Sequence, residues 1–466
     1  MARFSLIAMM IFVIAPTADA QPSRIIFGSC ADQNKKCPIW ETMANAKPDL
    51  SIMLGDTIYA DIEEGRLKPA SPEKIAKCYK ELNELESFKK FRVAAPMIGT
   101  WDDHDYGHND AGVEWENKDI AQKHFLDFFN IADDSPRRKQ KGVYHAEMYG
   151  PEGKQVQVIL LDTRYFRSPL KKAERTLPGT RIKPYLPNTE ADSTMLGEEQ
   201  WKWLEVQLRK PAALRIIGSS IQVISDEHAF EKWGNIPNDR ERLYKLVQDT
   251  NANGVVIISG DRHQGEISVD TKSISYPLYD VTSSGLNQAS QTWRVLEPNK
   301  NRAAGLAYGN HFGMIAIDWT KPDPVVSLQL RHEDGEIAIQ QRFNLSLLTA
   351  KAKAPPKVAI PAGVISASDA LRKNVGDEVT VQFEVQAGRV VGTRILLNSE
   401  KDFRSEKNFT VVVNDKARTG KFEKATFETF QSKTIRVKGK ISTFQNAMQI
   451  QIAEEKSIEI VDMKDE

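Results

Sequence analysis

The chain has 466 residues, which is too long for one ordinary hydrophobic core and predicts at least two domains. It carries 63 Lys and Arg residues against 63 Asp and Glu residues, so its formal net charge is zero. This balance excludes a molecule-wide attraction to nucleic acids or other polyanions, and any such binding would have to be local.

The first twenty residues have the pattern of a Sec-type signal peptide. Arg3 precedes an apolar run over residues 4–15, and residues 18–20 form a small-x-small cleavage site before Gln21. The apolar run is too short to span a membrane, and no later segment is apolar for long enough to form a transmembrane helix. We therefore expect residues 1–20 to be removed and the protein to be exported to the periplasm or the extracellular space.

Six short apolar runs, each predicted to be a β-strand, end in residues that carry chemistry. Helical patterns at 38–47, 197–208 and 238–250 lie between them, and strands alternating with helices are typical of an α/β domain. Polar residues at strand ends gather at one edge of such a sheet. The six runs are RIIFGSC (24–30), DLSIMLGDTIY (49–59), APMIGTWDDH (95–104), VQVILLDTRY (156–165), LRIIGSSIQV (214–223) and GVVIISGDRH (254–263).

The remaining chain predicts a second sheet and a second domain. The alternating runs YPLYDVTSS, HFGMIAIDW, VVSLQLRH and EIAIQQRFNL favour an antiparallel sheet. Residues 165–196 are rich in Pro, Lys and Arg without periodicity, which fits either a lid beside the site or a long surface loop. Residues 348–363 have the composition of a linker. The short strands after it predict a small Greek-key barrel, for which nucleic-acid or glycan contact and a structural or docking role are alternatives.

The residues at the predicted strand ends form an inventory of metal ligands. Thiolate and phenolate groups, from Cys30 and Tyr59, are strong anionic donors that suit an oxidised cation such as Fe³⁺. Carboxylate and amide oxygens suit a hard cation such as Ca²⁺, and Asp56 is the natural candidate to bridge two ions. Two nearby cations would also neutralise the acidic stretch TWDDHDYGHND at 100–110, orient a phosphoryl group and activate a water molecule.

Two further residues are candidates for catalysis. His104 is a candidate proton donor or phosphate ligand, and Arg164 a candidate phosphate clamp. Each candidate also has an ordinary explanation: Gly55-Asp56 can be a simple turn, Tyr59 a packed aromatic and Arg164 a salt-bridge partner. The combination, rather than any single residue, predicts a site.

The three cysteines add one open question. Cys37 and Cys78 could pair as a disulfide in an exported protein, which would isolate Cys30. Spacing along the chain does not decide whether that pair forms, because a disulfide depends on distance in space.

The motifs FGSC, GDTIY, TWDDHDYGHND, LDTRY and SGDRH, in this order and spacing, resemble the PhoD-like alkaline phosphatase/phosphodiesterase family of the metallophosphoesterase superfamily. The resemblance covers roughly residues 24–340. It implies a four-layer αββα sandwich, which we assign to residues 21–347. The composition and the strand pattern, rather than the resemblance, predict the linker 348–363 and a small OB-like barrel over 364–466. The all-β N-terminal domain common in the family is expected to be absent, and the barrel is an addition to the typical member.

The resemblance also implies a dinuclear centre of Fe³⁺ and Ca²⁺. The implied iron ligands include a bridging Asp56, and the implied second site contains Asp103, which Asp102 could replace. His104 lies where the superfamily keeps a histidine near the leaving group, and the pairing of iron with Tyr59 resembles the purple acid phosphatases and implies a coloured protein. The full implied ligand set is Cys30, Asp56, Tyr59 and Asp261 for iron, and Asp103, Asn109 and His263 for the second site.

The principal hypothesis is an exported, metal-dependent hydrolase of phosphate mono- or diesters. One alternative is a nuclease or phospholipase built on the same centre, which exposed barrel aromatics such as Phe383, Phe403 or Phe409 among basic residues would favour. The other alternative is a non-catalytic binding protein with a relict phosphatase domain. That alternative predicts missing ligands, whereas every matched position is filled.

Overall fold

The structure is a computed structural model that describes residues 21–350, 360–431, 433–445 and 447–461. The signal peptide predicted for residues 1–20 lies outside the described residues. The chain divides into two compact units, and the division falls after residue 351. None of the helices in the described part of the chain combines the length and the apolar character needed to cross a membrane.

The first unit alternates strands with helices. Its helices are α1 (Ile39–Asn45), α2 (Pro72–Glu84), α3 (Glu86–Ala94), α4 (Asp103–Tyr106), α5 (Lys118–Phe128), α6 (Gly197–Leu208) and α7 (Pro237–Asp249). Its strands are β1 (Arg24–Gly28), β2 (Leu50–Leu54), β3 (Ile62–Glu63), β4 (Arg66–Leu67), β5 (Met97–Thr100), β6 (His145–Tyr149), β7 (Val156–Leu160), β8 (Lys171–Lys172), β9 (Tyr185–Leu186), β10 (Leu214–Gly218), β11 (Val255–Ser259), β12 (Gly265–Asp270), β13 (Leu278–Ser283), β14 (Arg302–Leu306), β15 (His311–Asp318), β16 (Val325–His332) and β17 (Ile337–Asn344).

Two large mixed sheets form this unit. The first has the order β17-β16-β15-β1-β2-β5, in which β1, β2 and β5 run parallel. The second has the order β14-β12-β13-β11-β10-β7-β6, in which β7, β10, β11 and β13 run parallel. The carboxyl ends of parallel strands meet at one edge of a sheet, so each sheet collects the residues that follow its parallel strands.

The antiparallel second sheet predicted from the later strands is wrong in its membership. Strands β15, β16 and β17 are antiparallel, but they extend the first sheet, because β15 pairs with β1. The run YPLYDVTSS forms β13, which lies in the second sheet between a parallel β11 and an antiparallel β12. Alternation along a strand specifies which side chains share a face, and it does not specify the partner strand.

Successive residues of β1 belong to different hydrophobic cores. Ile25 and Phe27 share a core with Ile216 of β10 and with other residues of the second sheet. Ile26 shares a second core with Phe88 of α3 and with residues of α1, α2 and α5. The α/β class is confirmed, and β1 is buried on both faces as a strand of a parallel array should be.

The second unit is mainly β-structure with a core of its own. Its elements are α8 (Ala367–Ala370), β18 (Ile365–Ser366), β19 (Glu378–Glu384), β20 (Ala387–Val391), β21 (Arg394–Asn398), β22 (Thr410–Val413), β23 (Thr434–Phe444), β24 (Ala447–Ile452) and β25 (Ile458–Ile460). The strand order is β18-β19-β23-β24-β22-β21-β20, and β25 pairs with β23. Inward side chains such as Val381, Leu397 and Val411 form its core.

Candidate metal centre

The candidate ligands lie where the parallel strands end. Cys30 follows β1, Asp56 follows β2, and Asp103 opens α4 after β5. Asp261 and His263 follow β11 in the other sheet. The two sheets meet here, since a β-bridge joins the residue after β1 to the residue after β13.

A first group of ligand atoms comes from Cys30, Asp56 and His263, which lie within 4.8 Å of one another. The Cys30 thiol donates a hydrogen bond to Asp56 Oδ2 at 3.3 Å, and the Tyr59 hydroxyl donates to the same oxygen at 3.3 Å. The Tyr59 hydroxyl also lies 3.1 Å from His263 Nε2. Ser284 Oγ contacts two members of this group. It accepts a hydrogen bond from the backbone N–H of His263 at 2.7 Å and lies 3.1 Å from Cys30 Sγ.

Two further groups extend the first one. Asp56, Asp103 and His104 form the second group, and Asp103, Asp110 and Glu231 form the third. Neighbouring groups share a carboxylate, Asp56 between the first two and Asp103 between the last two. The arrangement is therefore continuous, and it offers thiol, phenol, imidazole and carboxylate donors side by side.

His104 is held on the wall of this centre. Its Nδ1 lies 2.5 Å from Asp61 Oδ1, and its ring packs on that of Tyr59 with centroids 4.1 Å apart. Burial alone would lower the pKa of His104, but the carboxylates of Asp103, Asp56 and Asp61 raise the pKa well above its usual value. The ring is oriented by Asp61 through one nitrogen, which leaves Nε2 as the other ring donor.

The electrostatics of the first group favour a bound cation. Burial raises the pKa of the Cys30 thiol, the Asp56 carboxyl and the Tyr59 hydroxyl well above their usual values. Burial also raises the pKa of Asp261 to about 7, despite the neighbouring Arg262, and lowers that of His263 to about 3. Anionic donors crowded in a site without a positive charge are unfavourable, so the donor set fits a metal ion that would supply one.

Arg164 lies in a different environment from the one that a phosphate clamp needs. It is 0% exposed, and its guanidinium donates to Asp102 Oδ1, with Nε at 2.7 Å. Its Nη2 also lies 2.6 Å from Glu231 Oε2, while Arg167 pairs with the other oxygen of Glu231 at 3.0 Å. Its Nε and Nη2 are directed at protein carboxylates, and the phosphate-clamp role predicted for Arg164 stays a prediction.

The structure distinguishes between the two adjacent aspartates of the acidic motif. The Asp102 carboxylate is bound by Arg164 and accepts from the Ser220 hydroxyl at 2.7 Å, whereas Asp103 belongs to two ligand groups. Burial opposes ionisation of Asp103, but His104 and Arg164 lower its pKa below the usual value. Of the two alternatives, only Asp103 belongs to candidate ligand groups among the described residues.

The positions of three predicted ligands differ from the grouping that the sequence predicted. His263 groups with Cys30 and Asp56, whereas the sequence hypothesis put it with Asp103. Asp261 lies beside Arg262, 3.4 Å from Nη1, in the field of the same carboxylates but outside the three groups found among the described residues. Asn109 is half-buried in the loop after α4.

Four residues of the centre were not identified from the sequence, namely Asp61, Asp110, Glu231 and Ser284. Asp110 is the last residue of the acidic motif TWDDHDYGHND, and Asp61 comes two residues after GDTIY. Their nearness to these motifs could therefore have identified both residues. Glu231 lies in an irregular segment without a motif, and the fold alone brings it to Arg164. Ser284 ends the run YPLYDVTSS, which we interpreted only as a strand.

Segment 165–196 packs against the centre. The Tyr185 hydroxyl donates to Asp110 Oδ2 at 2.5 Å, and the Tyr185 N–H donates to the Ala229 carbonyl at 2.8 Å. Of the two interpretations of this segment, a cover beside the site fits these contacts better than a remote surface loop.

The cysteines and the barrel aromatics can also be placed. Cys30, Cys37 and Cys78 are buried free thiols. Among the three phenylalanines of the nuclease alternative, Phe383 and Phe409 belong to the core, and Phe403 is half exposed. The guanidinium groups of Arg389 and Arg404 lie 5.3 Å from its ring centre.

Comparison with known proteins agrees with these observations. A family model described as PhoD-like phosphatase matches residues 25–323. Alkaline phosphatase D of Bacillus subtilis (strain 168) is 23% identical over 330 residues, which is 61% of this chain and 55% of that protein's length. A solved structure of PhoD aligns with a TM-score of 0.52 at 17% identity, covering 71% of this chain and 73% of that one.

Proposed function

The chain belongs to the PhoD-like phosphatase family, and on that premise we propose that it hydrolyses phosphate esters at a dinuclear metal centre. The family resemblance stated from the five motifs is thereby confirmed. The observation that carries the proposal is the set of three overlapping ligand groups, which share Asp56 and Asp103. The proposed activity covers mono- and diesters.

The donor set supports two different cations. Cys30, Tyr59 and Asp56 would hold the more highly charged ion, proposed as Fe³⁺, because thiolate and phenolate are strong anionic donors. Asp103, with the carboxylates of Asp110 and Glu231 beside it, would serve the second ion, proposed as Ca²⁺. Bound cations would polarise a phosphoryl oxygen and lower the pKa of a water molecule.

The chain's own residues supply positioning and proton transfer. Asp61 fixes His104 through Nδ1, so that His104 Nε2 can give its proton to the leaving ester oxygen. Arg164 and Arg167 hold Glu231, and Arg164 also holds Asp102, which keeps the start of α4 in place. Segment 165–196 contacts the centre through the hydrogen bond from Tyr185 to Asp110, and there it would limit the access of water from one side.

The proposal is tested by metal analysis and a visible spectrum of the purified protein. We expect about one iron and one calcium per chain, with a charge-transfer band that Tyr59→Phe removes. Tyr106→Phe is the matched control, because this buried tyrosine donates to the Gly112 carbonyl and is no candidate ligand. Asp56→Asn should abolish hydrolysis of 4-nitrophenyl mono- and diesters. A protein without metal, whose activity no added metal restores, would contradict the proposal.

A nuclease on the same centre is the second candidate, favoured by one observation. Phe403 is half exposed between Arg389 and Arg404, an arrangement that suits stacking of a base beside a phosphate backbone. Retention of single-stranded DNA by the wild-type protein and its loss in Phe403→Ala would support it. If the wild type and Phe403→Ala retained single-stranded DNA equally, or if neither retained it, the nuclease candidate would be rejected in favour of the phosphate-ester hydrolase.

The proposal includes the finer architecture and the location. A four-layer αββα order is supported by the two cores on opposite faces of β1. An OB-like barrel is supported by strand pairing: β19 and β20 are separated by two residues and pair with β23 and β21, and β22 runs parallel to β24. Export rests on the sequence of residues 1–20 alone.

A further inference from the structure

A cavity of about 550 Å³ lies beside the metal centre and has no part in the mechanism described above. This volume falls in the range of small-molecule binding sites. Its walls combine apolar and aromatic side chains from segment 165–196 with residues of the segment around Phe230. The main apolar contributors are Leu177, Ile182, Pro184, Tyr185, Phe230 and Pro298.

Two wall residues connect the cavity with the centre. Tyr185 donates to Asp110, which belongs to the third ligand group. Phe230 carries the Arg262 guanidinium 3.8 Å from its ring centre, and Arg262 pairs with Asp261. Phe230 also directly precedes Glu231, the carboxylate that Arg164 and Arg167 hold.

Two of the charged residues at the cavity are paired with arginines. Asp226 pairs with Arg240 at 2.9 Å, and Glu297 pairs with Arg262 at 2.5 Å. Lys232 donates to the Phe230 carbonyl at 2.8 Å. These two ion pairs leave apolar and aromatic side chains as the larger part of the cavity surface, and such walls suit a neutral aromatic group.

Two buried wall residues each leave one donor unused. His228 is 4% exposed and Asn235 is 1% exposed. His228 Nδ1 accepts from the Phe230 N–H, and Asn235 Oδ1 accepts from the Lys232 N–H. Their other nitrogens, His228 Nε2 and Asn235 Nδ2, have no hydrogen-bond partner among the described residues. Buried donors favour an acceptor, so a ring that carries one suits these walls better than an alkane.

We propose that this cavity binds the aromatic ester group of a phosphodiester while the metal centre binds its phosphate. The inference rests on the proposed function and extends it by naming the substrate class. The preferred substrate is a diester in which one ester group is an aromatic or heteroaromatic ring. A small alkyl ester group would leave the cavity unfilled.

The test compares 4-nitrophenyl phenyl phosphate with 4-nitrophenyl methyl phosphate on the metal-loaded protein. Both substrates release the same 4-nitrophenolate, so the ratio of their kcat/KM values reports the retained group. We expect a ratio of at least about tenfold in favour of phenyl, because burying a ring is worth more than burying a methyl group. Ile182→Trp, which fills the cavity, should reduce the ratio to near one. Leu186→Trp, at an exposed neighbour outside the cavity, should preserve the ratio.

Equal kcat/KM values for the two esters in the wild type would overturn the cavity proposal and leave the proposed function standing. Hydrolysis of neither diester, together with no hydrolysis of 4-nitrophenyl phosphate, would overturn the proposed function. If neither diester is hydrolysed, the binding of 2-naphthol, measured by calorimetry, tests the cavity instead. Saturable binding that Ile182→Trp removes and Leu186→Trp keeps would support it. No saturable binding would overturn it.

Discussion

Backbone strain is concentrated at the candidate metal centre. Cys30, Asp56, Asp261 and His263 have positive φ angles of 64°, 47°, 67° and 50°. Each such residue costs on the order of 1–3 kcal/mol and persists only where the surrounding structure imposes it. The fold therefore imposes the geometry of these candidate ligands, which is the pre-organisation that a catalytic site needs.

At the residue scale, we expect Arg164→Met to destabilise the protein strongly. The substitution leaves Asp102 and Glu231 buried without their cation, and breaking a buried pair in this way costs about 3–5 kcal/mol. The measurement is the free energy of unfolding in urea. Arg209→Met is the control, since Arg209 pairs with Glu205 on the exposed face of α6 and should cost less than about 1 kcal/mol. Similar losses in the two variants would contradict this account.

A second residue-scale prediction concerns acid stability. Burial lowers the pKa of His145 to about 3, helped by Arg137, while its Nδ1 donates to the Val143 carbonyl. Because the unfolded chain takes up this proton below about pH 6.5, stability is fully present above that pH and falls as the pH drops toward 3, by about 1.4 kcal/mol per pH unit.

His145→Phe removes this proton uptake. We expect the free energy of unfolding of the variant to fall less steeply than that of the wild type between pH 6.5 and 4.5, whatever the offset at pH 7. Urea unfolding at four pH values gives both slopes. Parallel curves would show that His145 is not the group that responds.

At the scale of elements, the approach of β2 to β5 depends on one glycine. Gly55 has φ +93°, and a Cβ placed there would lie 2.4 Å from Asp102 Cβ and 2.5 Å from its backbone nitrogen. A backbone atom cannot move aside alone, so a larger residue would push apart the two strand ends that carry Asp56 and Asp103.

We therefore expect Gly55→Ala to lose bound metal and hydrolysis. Gly65→Ala is the matched control: Gly65 also has a positive φ, +71°, but nothing lies within 4 Å of its Cβ position. The control carries only the backbone strain of about 1 kcal/mol. Metal content and urea unfolding of both variants separate the clash from the strain. Full metal content in Gly55→Ala would refute the close-approach argument.

The sequence predicted the parallel strands best, because strands buried on both faces are continuous apolar runs. All six such runs form strands, and helix α6 has the predicted bounds, 197–208. Helix α2 was missed although Ser71 caps it and Pro72 opens it, which is a readable start signal. The partner of β15 could not be predicted, since pairing between distant strands depends on packing.

The candidate site shows the same contrast between features that the local sequence predicts and features that depend on packing. Residues at strand ends, such as Cys30 and Asp56, were predicted because topology brings strand ends together. Glu231 was not, since its importance comes from contacts with Arg164 and Arg167 that only the folded chain creates. The surroundings of Arg164 could not be predicted for the same reason: an arginine after a strand can face a substrate or a buried carboxylate, and the sequence is identical in both cases.

At the scale of the whole molecule, the three ligand groups and the cavity lie in the first unit. Each unit has its own hydrophobic core. A unit with its own core and its own site should fold and act without the other.

We expect a chain that ends at residue 351 to keep its metal content and to keep kcat/KM on 4-nitrophenyl phenyl phosphate within a factor of about two. The full chain carrying Val411→Asp, which disrupts only the second core, should behave in the same way while its second unit unfolds. Metal analysis, kinetics and near-UV circular dichroism measure these properties. Loss of metal from both proteins would show that the second unit supports the centre, because two unrelated perturbations would then share one effect. Loss from the truncated chain alone would instead assign the defect to the new chain end.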